Sequence, residues 1–122
     1  MKLVAAGAVN AAIAVGAGAF AAHALKDRLE PKMLEVFETG ARYQMYHALA
    51  MILAGVLVVR AASASAAGWI FQLGIVLFSG SLYVLALTGE KALGAVTPFG
   101  GVAFLVGWLW LAWSALKSAT AR

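Results

Sequence analysis

The chain has two histidines, and any acid–base or metal chemistry would have to begin with them. They are His23, in "FAAHALKD", and His47, in "QMYHALAM". An imidazole can bind a metal or move a proton near neutral pH. Tyr43 precedes His47 by one helical turn, and Glu38 and Arg42 are close to it in sequence. These five residues form the candidate polar cluster, for a proton or a ligand.

Three roles remain open for the histidines: structural hydrogen bonding, pH sensing or proton relay, and ligation of a metal or heme. Two histidines without a third ligand are weak support for zinc, which takes three or four protein ligands. The chain has no cysteine, which excludes thiolate chemistry and disulfides. No Ser-His-Asp arrangement and no phosphate-binding glycine loop followed by lysine occurs. The sequence therefore predicts no enzyme activity, no metal and no cofactor.

The composition is that of a membrane protein. Hydrophobic residues make up 64% of the 122 residues and charged residues 11%, whereas soluble domains are nearer half apolar and a quarter charged. The mean hydropathy is +0.92. The net charge of +4 indicates basic residues flanking membrane spans. No basic patch interleaved with aromatics is present, so nucleic acid is not expected as a partner.

Four apolar stretches would position the candidate residues, at about 3–25, 41–59, 66–88 and 93–116. A helix needs about 20 apolar residues to cross the hydrocarbon core, and these stretches lack the alternation of a barrel strand. The predicted fold is an all-α membrane protein, a single four-helix transmembrane bundle over 1–122. The first stretch could instead be a signal peptide, with Ala22-His23-Ala24 imitating a cleavage site; we expect it to be retained as a helix.

Residues 26–42, between the first two stretches, hold eight of the fourteen formal charges. Apolar and charged residues lie on different faces there at helical spacing. This predicts an amphipathic helix in the interface or packed over the mouth of the bundle, with a bend at Thr39-Gly40. Because consecutive spans are antiparallel, His23 at the end of one span and His47 near the start of the next should lie at one depth. We therefore expect both imidazoles in the same interfacial cluster as Tyr43.

The first span is almost entirely alanine and glycine. A stripe at i,i+4 spacing is the predicted helix-packing face, either within one bundle or between copies of the chain; it consists of Asn10, Ala14, Gly18 and Ala22. Asn10 is expected to hydrogen-bond to another helix, because an amide is costly in hydrocarbon.

Four spans would place both termini on one side of the membrane. Lysine and arginine are divided four against five between the two sides, so the positive-inside rule gives only a slight preference for termini in the cytoplasm. Tryptophans and tyrosines are expected in interfacial belts, with Trp69, Trp108, Trp110 and Trp113 on the terminal side.

Four blocks in order, "GAFAAHALK", "ETGARYQMYHALA", "FSGSLYVLALTG" and "TPFGGVAFLVGW", resemble the domain-of-unknown-function 423 family, small membrane proteins of the YgdD/YwdK type. Ala21 stands where many members would have glycine, and its methyl group would slightly widen a close helix contact. The resemblance implies a four-span membrane protein and implies no activity. We expect the protein in the bacterial cytoplasmic membrane.

The leading hypothesis is a non-enzymatic membrane protein that acts through helix or lipid contacts, as an oligomer or an accessory subunit. Its partners would be membrane lipid and a second copy or another membrane protein. The alternative is a small channel or carrier with a histidine-lined mouth. Small four-helix drug exporters depend on an intramembrane carboxylate, and no Asp or Glu lies inside a predicted span. A metal- or cofactor-dependent membrane enzyme is the third hypothesis.

Overall fold

A computed structural model describes residues 1–120 of the chain. Within them are four α-helices and no strand: α1 (Lys2–Phe20), α2 (Pro31–Leu57), α3 (Ala64–Thr88) and α4 (Thr97–Thr120). A π-helical turn, Ala21–Leu25, extends α1, and a 3₁₀ turn, Lys91–Ala95, precedes α4. The all-helical part of the predicted fold is confirmed.

The second helix is longer than the predicted span. Pro31 occupies its first turn, where a missing backbone N–H costs nothing, and the helix then continues through Gly40 without interruption. Most of the predicted amphipathic linker is therefore the first part of α2. Its charged residues are exposed and Phe37 is buried, so the amphipathic pattern is present, but on a continuous helix.

The helices pack in chain order, α1 on α2, α2 on α3 and α3 on α4. The first contact is antiparallel and close: a Cβ on Gly7 would lie 2.7 Å from Cγ1 of Ile52. At the other end of α1, the rings of Phe20 and Phe37 are 6.1 Å apart. One buried apolar cluster extends across all four helices and includes Leu3, Met51, Phe71, Ile75, Phe104 and Leu111.

Three helical stretches are long and apolar enough to cross a membrane: Lys2–Leu25, Ala64–Thr88 and Lys91–Thr120. The helix that is not among them, α2, carries Arg42, Gln44 and His47 within its apolar half. Those side chains lower its hydropathy, and two of them, Gln44 and His47, form polar contacts in the interior.

Candidate functional site

A hydrogen-bonded network of polar side chains connects three helices in the interior. Asn10 is on α1, Gln44 on α2, and Gln72 and Tyr83 on α3. Asn10 and Gln44 are almost fully buried, with 7% and 4% of their surfaces exposed. Each lies within an apolar stretch, where an unpaired amide would be costly.

Within this network each side chain donates to the next, from Tyr83 to Gln72. The Tyr83 hydroxyl donates to Oε1 of Gln44 at 2.7 Å, and Nε2 of Gln44 donates to Oδ1 of Asn10 at 3.0 Å. Nδ2 of Asn10 then donates to Oε1 of Gln72 at 2.8 Å and to the carbonyl oxygen of Ala6 at 2.9 Å. Asn10 therefore uses its carbonyl and both amide hydrogens, and it joins α1 to α2 and α3.

His47 is held by a second set of contacts, between α2 and α4. Its Nδ1 lies 2.8 Å from the carbonyl oxygen of Tyr43, and Nε1 of Trp108 donates to its Nε2 at 3.0 Å. A carbonyl can only accept and an indole N–H can only donate. These partners assign the proton to Nδ1 and leave Nε2 as the acceptor, so neither nitrogen is free for a metal.

Aromatic rings enclose the imidazole. The Phe104 ring is stacked on it, with centroids 3.5 Å apart and planes at 6°. Phe71 is 5.6 Å away, and the Tyr43 ring is stacked at 6.3 Å. Offset or tilted ring pairs stabilise a buried cluster beyond the area that they cover. His47 is thus a central element of an aromatic α2–α4 contact, and only 4% of its surface is exposed.

The structure does not bring the predicted five-residue cluster together. Tyr43 and His47 are in contact, but His23 is exposed in the π-helical turn, and Glu38 and Arg42 are exposed on α2. The expected common depth of the histidines is wrong because α2 begins at Pro31 rather than near residue 41. His47 consequently lies near the middle of its helix, whereas His23 lies at the end of α1.

Only the first half of the predicted packing stripe on α1 is buried within the molecule. Asn10 and Ala14 are buried, but Gly18 is half-buried and Ala22 is exposed. Strict i,i+4 spacing advances about 40° around the helix at each step, because a turn holds about 3.6 residues. The buried line instead starts with alternating steps of four and three residues, and its members are Leu3, Gly7, Asn10, Ala14, Ala21 and Leu25.

Sequence reasoning found Asn10 as an interhelical residue and missed its partners. A signal was present, because the single asparagine and the two glutamines of the chain lie one in each of the first three helices. Sequence reasoning also placed Trp108 in an interfacial belt; Trp108 is 42% exposed, and its indole N–H donates to the buried His47.

The chemistry that these residues can perform is limited by their pairing. Within residues 1–120, every buried side-chain nitrogen or oxygen has a hydrogen-bond partner. The same part of the chain contains no group of three His, Asp or Glu side chains that could hold a metal ion. The buried polar groups are therefore arranged to join helices.

Comparison with known proteins identifies the family of this chain. The family model described as "Protein of unknown function (DUF423)" matches residues 17–101. The chain belongs to this family. A "UPF0382 membrane protein" of Staphylococcus epidermidis (strain ATCC 12228 / FDA PCI 1200) is 49% identical over 114 residues, which are 93% of this chain and 93% of the relative. The "UPF0382 membrane protein YwdK" of Bacillus subtilis (strain 168) is 47% identical over 114 residues, covering 91% and 93%.

No solved structure matches the chain. The protein is a small integral membrane protein of a family without an assigned activity, as the resemblance implied.

Proposed function

We propose that this DUF423 protein is a non-enzymatic, four-span protein of the bacterial cytoplasmic membrane that acts by lateral association. The partner is a second copy, or another membrane protein for which it is an accessory subunit, and the contact is the outer face of α1. The observation that carries the proposal is that this face is exposed and built of small residues: Ala8, Ala12, Gly16 and Ala19.

The outer face of α1 is suited to close helix contact. Only 22% of the residues in the apolar stretches of α1 and α4 are buried, against 33% in α3, and of these two exposed helices α1 is the one whose outer face is lined by small residues. A Cβ on Gly16 would meet no atom of another helix within 4 Å, among residues 1–120. In lipid, small residues at i,i+4 spacing let two backbones approach closely. Ala12 and Gly16 have this spacing, so a second helix can pack there without displacing a side chain.

The proposal of four spans rests on the distribution of side chains around α2. Gln44 and His47 face the interior, whereas Leu49, Leu53 and Val56 are exposed. A helix of 27 residues is roughly 40 Å long, which exceeds the hydrocarbon thickness of about 30 Å. The surface that this half of α2 would present to lipid is therefore apolar, although its average hydropathy is reduced by buried polar residues.

Substitution of Gly16 tests the association. Gly16→Leu places a large side chain on the proposed interface and is expected to convert an oligomer to a monomer in detergent and in nanodiscs, as measured by native mass spectrometry. Gly80→Leu is the matched control, because a Cβ on Gly80 of α3 would also meet no atom of another helix within 4 Å in the described part of the chain. A wild-type protein that is monomeric and co-purifies with no protein partner would refute the proposal.

The alternative of a histidine-lined channel or carrier has less support. Its mouth requires His23 and His47 at one opening, and one histidine is exposed at the end of α1 while the other is enclosed by aromatic rings. Liposome flux that is abolished by His47→Ala would restore this alternative. The cytoplasmic location of both termini is part of the proposal and follows the slight preference of the basic residues.

A further inference from the structure

An amphipathic hollow lies at the end of the molecule that includes Lys2 and the end of α4. It is formed by the connection between α2 and α3 together with the last turns of α4. One part, of ≈ 350 Å³, is lined by Arg60, Ser63, Lys117 and Ser118. An adjoining part, of ≈ 390 Å³, shares Arg60 and Ser118 and is otherwise mostly apolar, with Leu57, Ala61, Leu111 and Ala115 in its wall.

Hydrogen bonds fix the walls of this hollow. The Ser118 hydroxyl donates to the carbonyl oxygen of Arg60 at 2.7 Å, and the Ser63 hydroxyl donates to the Ser114 hydroxyl at 2.8 Å. Nε1 of Trp110 donates to the carbonyl oxygen of Ser63 at 2.9 Å. The α2–α3 connection is thus attached to α4 at three points, which makes the hollow a built feature of the fold.

Within residues 1–120, the charged side chains at this end are all basic. The basic side chains Lys2, Arg60 and Lys117 lie here, whereas the five acidic side chains of the chain belong to the opposite end: Asp27, Glu30, Glu35, Glu38 and Glu90. Arg60 and Lys117 line the same hollow and are both exposed. Lys117 is also held over the Trp113 ring, with Nζ 4.8 Å from the ring centroid. The hollow therefore favours an anion.

We propose that this hollow binds an anionic phospholipid, with its phosphodiester between the Arg60 guanidinium and the Lys117 ammonium and an acyl chain along the apolar part. Arginine and lysine are the usual phosphate partners in proteins, and basic pockets between transmembrane helices bind anionic headgroups. The apolar wall of Leu57, Ala61 and Leu111 assigns the phosphate to a lipid, because a free phosphate ion would leave that part unfilled.

The test is lipid retention by the full chain in nanodiscs that contain equal amounts of phosphatidylglycerol and phosphatidylcholine, with bound lipid identified by native mass spectrometry after release. The wild type is expected to retain phosphatidylglycerol preferentially. In R60Q/K117Q the preference should fall roughly thirtyfold, since each basic residue near an anionic surface contributes about 1 kcal/mol and about 1.4 kcal/mol is a factor of ten.

R28Q/K91Q is the matched control, because it removes the same two charge types from exposed positions at the opposite end. It should keep the wild-type preference. Equal losses in the two double variants would mean a general electrostatic effect and would overturn the assigned site. Retention of the preference in R60Q/K117Q would overturn it as well.

Two further arms separate a lipid from a free phosphate. Ala115→Trp fills the apolar part and should reduce retention, whereas Ala112→Trp, on an exposed position of α4 outside the hollow, should not. Displacement of the lipid by an equal concentration of inorganic phosphate would contradict the lipid assignment. Gly16→Leu should keep the lipid preference, so failure of lipid binding and failure of lateral association are separate results.

Discussion

His47 uses both ring nitrogens in hydrogen bonds, and its structural role depends on the neutral form with the proton on Nδ1. The Tyr43 carbonyl accepts from Nδ1, and the Trp108 indole donates to Nε2. Since Tyr43 is on the same helix, the hydrogen bond from Trp108 is the one that joins α2 to α4. Replacing the indole therefore removes this hydrogen bond and leaves the imidazole side chain itself unchanged.

Trp108→Phe should destabilise the protein by about 0.5–1.5 kcal/mol, because a buried imidazole nitrogen loses its only donor. Stability would be measured by reversible unfolding in mixed detergent micelles. Trp69→Phe is the matched control, since Trp69 lies on α3 and is exposed to a similar degree, 45% against 42% for Trp108. If both variants unfolded at the same detergent composition as the wild type, the Trp108–His47 hydrogen bond would have no energetic role.

Substitution of Asn10, the one uncharged polar side chain of α1, is expected to destabilise the protein. Asn10→Ala leaves Nε2 of Gln44 and Oε1 of Gln72 without their partner, and an unsatisfied buried polar group costs about 1–3 kcal/mol. In a double-mutant cycle, Asn10→Ala and Tyr83→Phe should be coupled through Gln44, since linked hydrogen bonds are not additive. Additive effects in the same unfolding assay would contradict a connected network.

At the scale of the element, sequence periodicity located α1 but did not identify its buried face. Alanine and glycine on nearly every side give no apolar contrast, so a stripe assigned from i,i+4 spacing alone drifts away from the true contact line. Close contacts with the neighbouring helices determine which face of such a helix is buried. Gly7 shows this: its missing side chain is what allows Ala48 and Ile52 of α2 to approach.

Gly7→Ala is therefore expected to destabilise the protein by about 1–3 kcal/mol, the usual cost of overpacking, because its Cβ would lie 2.8 Å from the carbonyl oxygen of Ala48. Gly18→Ala on the same helix is the control. In the described residues, no atom of another helix would lie within 4 Å of that Cβ, and alanine favours the helix over glycine. The control should be neutral or slightly stabilising, and equal destabilisation of the two variants would show that Gly7 does not lie on the contact face of α1.

For the molecule as a whole, composition and hydropathy were sufficient to predict helices in a membrane, because apolar length is a property of the sequence itself. The start of α2 and the depth of His47 were not predictable in the same way. They depend on whether a charged amphipathic segment continues a span or lies beside it, and that choice is made by packing of Phe37 against Phe20 and Tyr83.

The membrane course of α2 is the remaining property at this scale, and single cysteines can test it because the chain has none of its own. If α2 crosses, Ala62→Cys after α2 and Ala119→Cys near the end of α4 should react with an impermeant maleimide from one side. Arg28→Cys before α2 and Ala92→Cys before α4 should react from the other. All four positions are exposed, so a lack of labelling would not arise from burial.

Intact inverted and right-side-out vesicles would assign the sides, with Ala50→Cys, 2% exposed, as the unreactive control. Labelling of Arg28→Cys and Ala62→Cys from the same side would mean that α2 does not span, and the four-span proposal would fail while the three apolar helices remained. Opposite labelling would place Arg60 and Lys117 on the side of both termini. If the cysteines on that side are labelled from the cytoplasmic face, the hollow lies at the cytoplasmic leaflet, where anionic lipids create a negative surface potential.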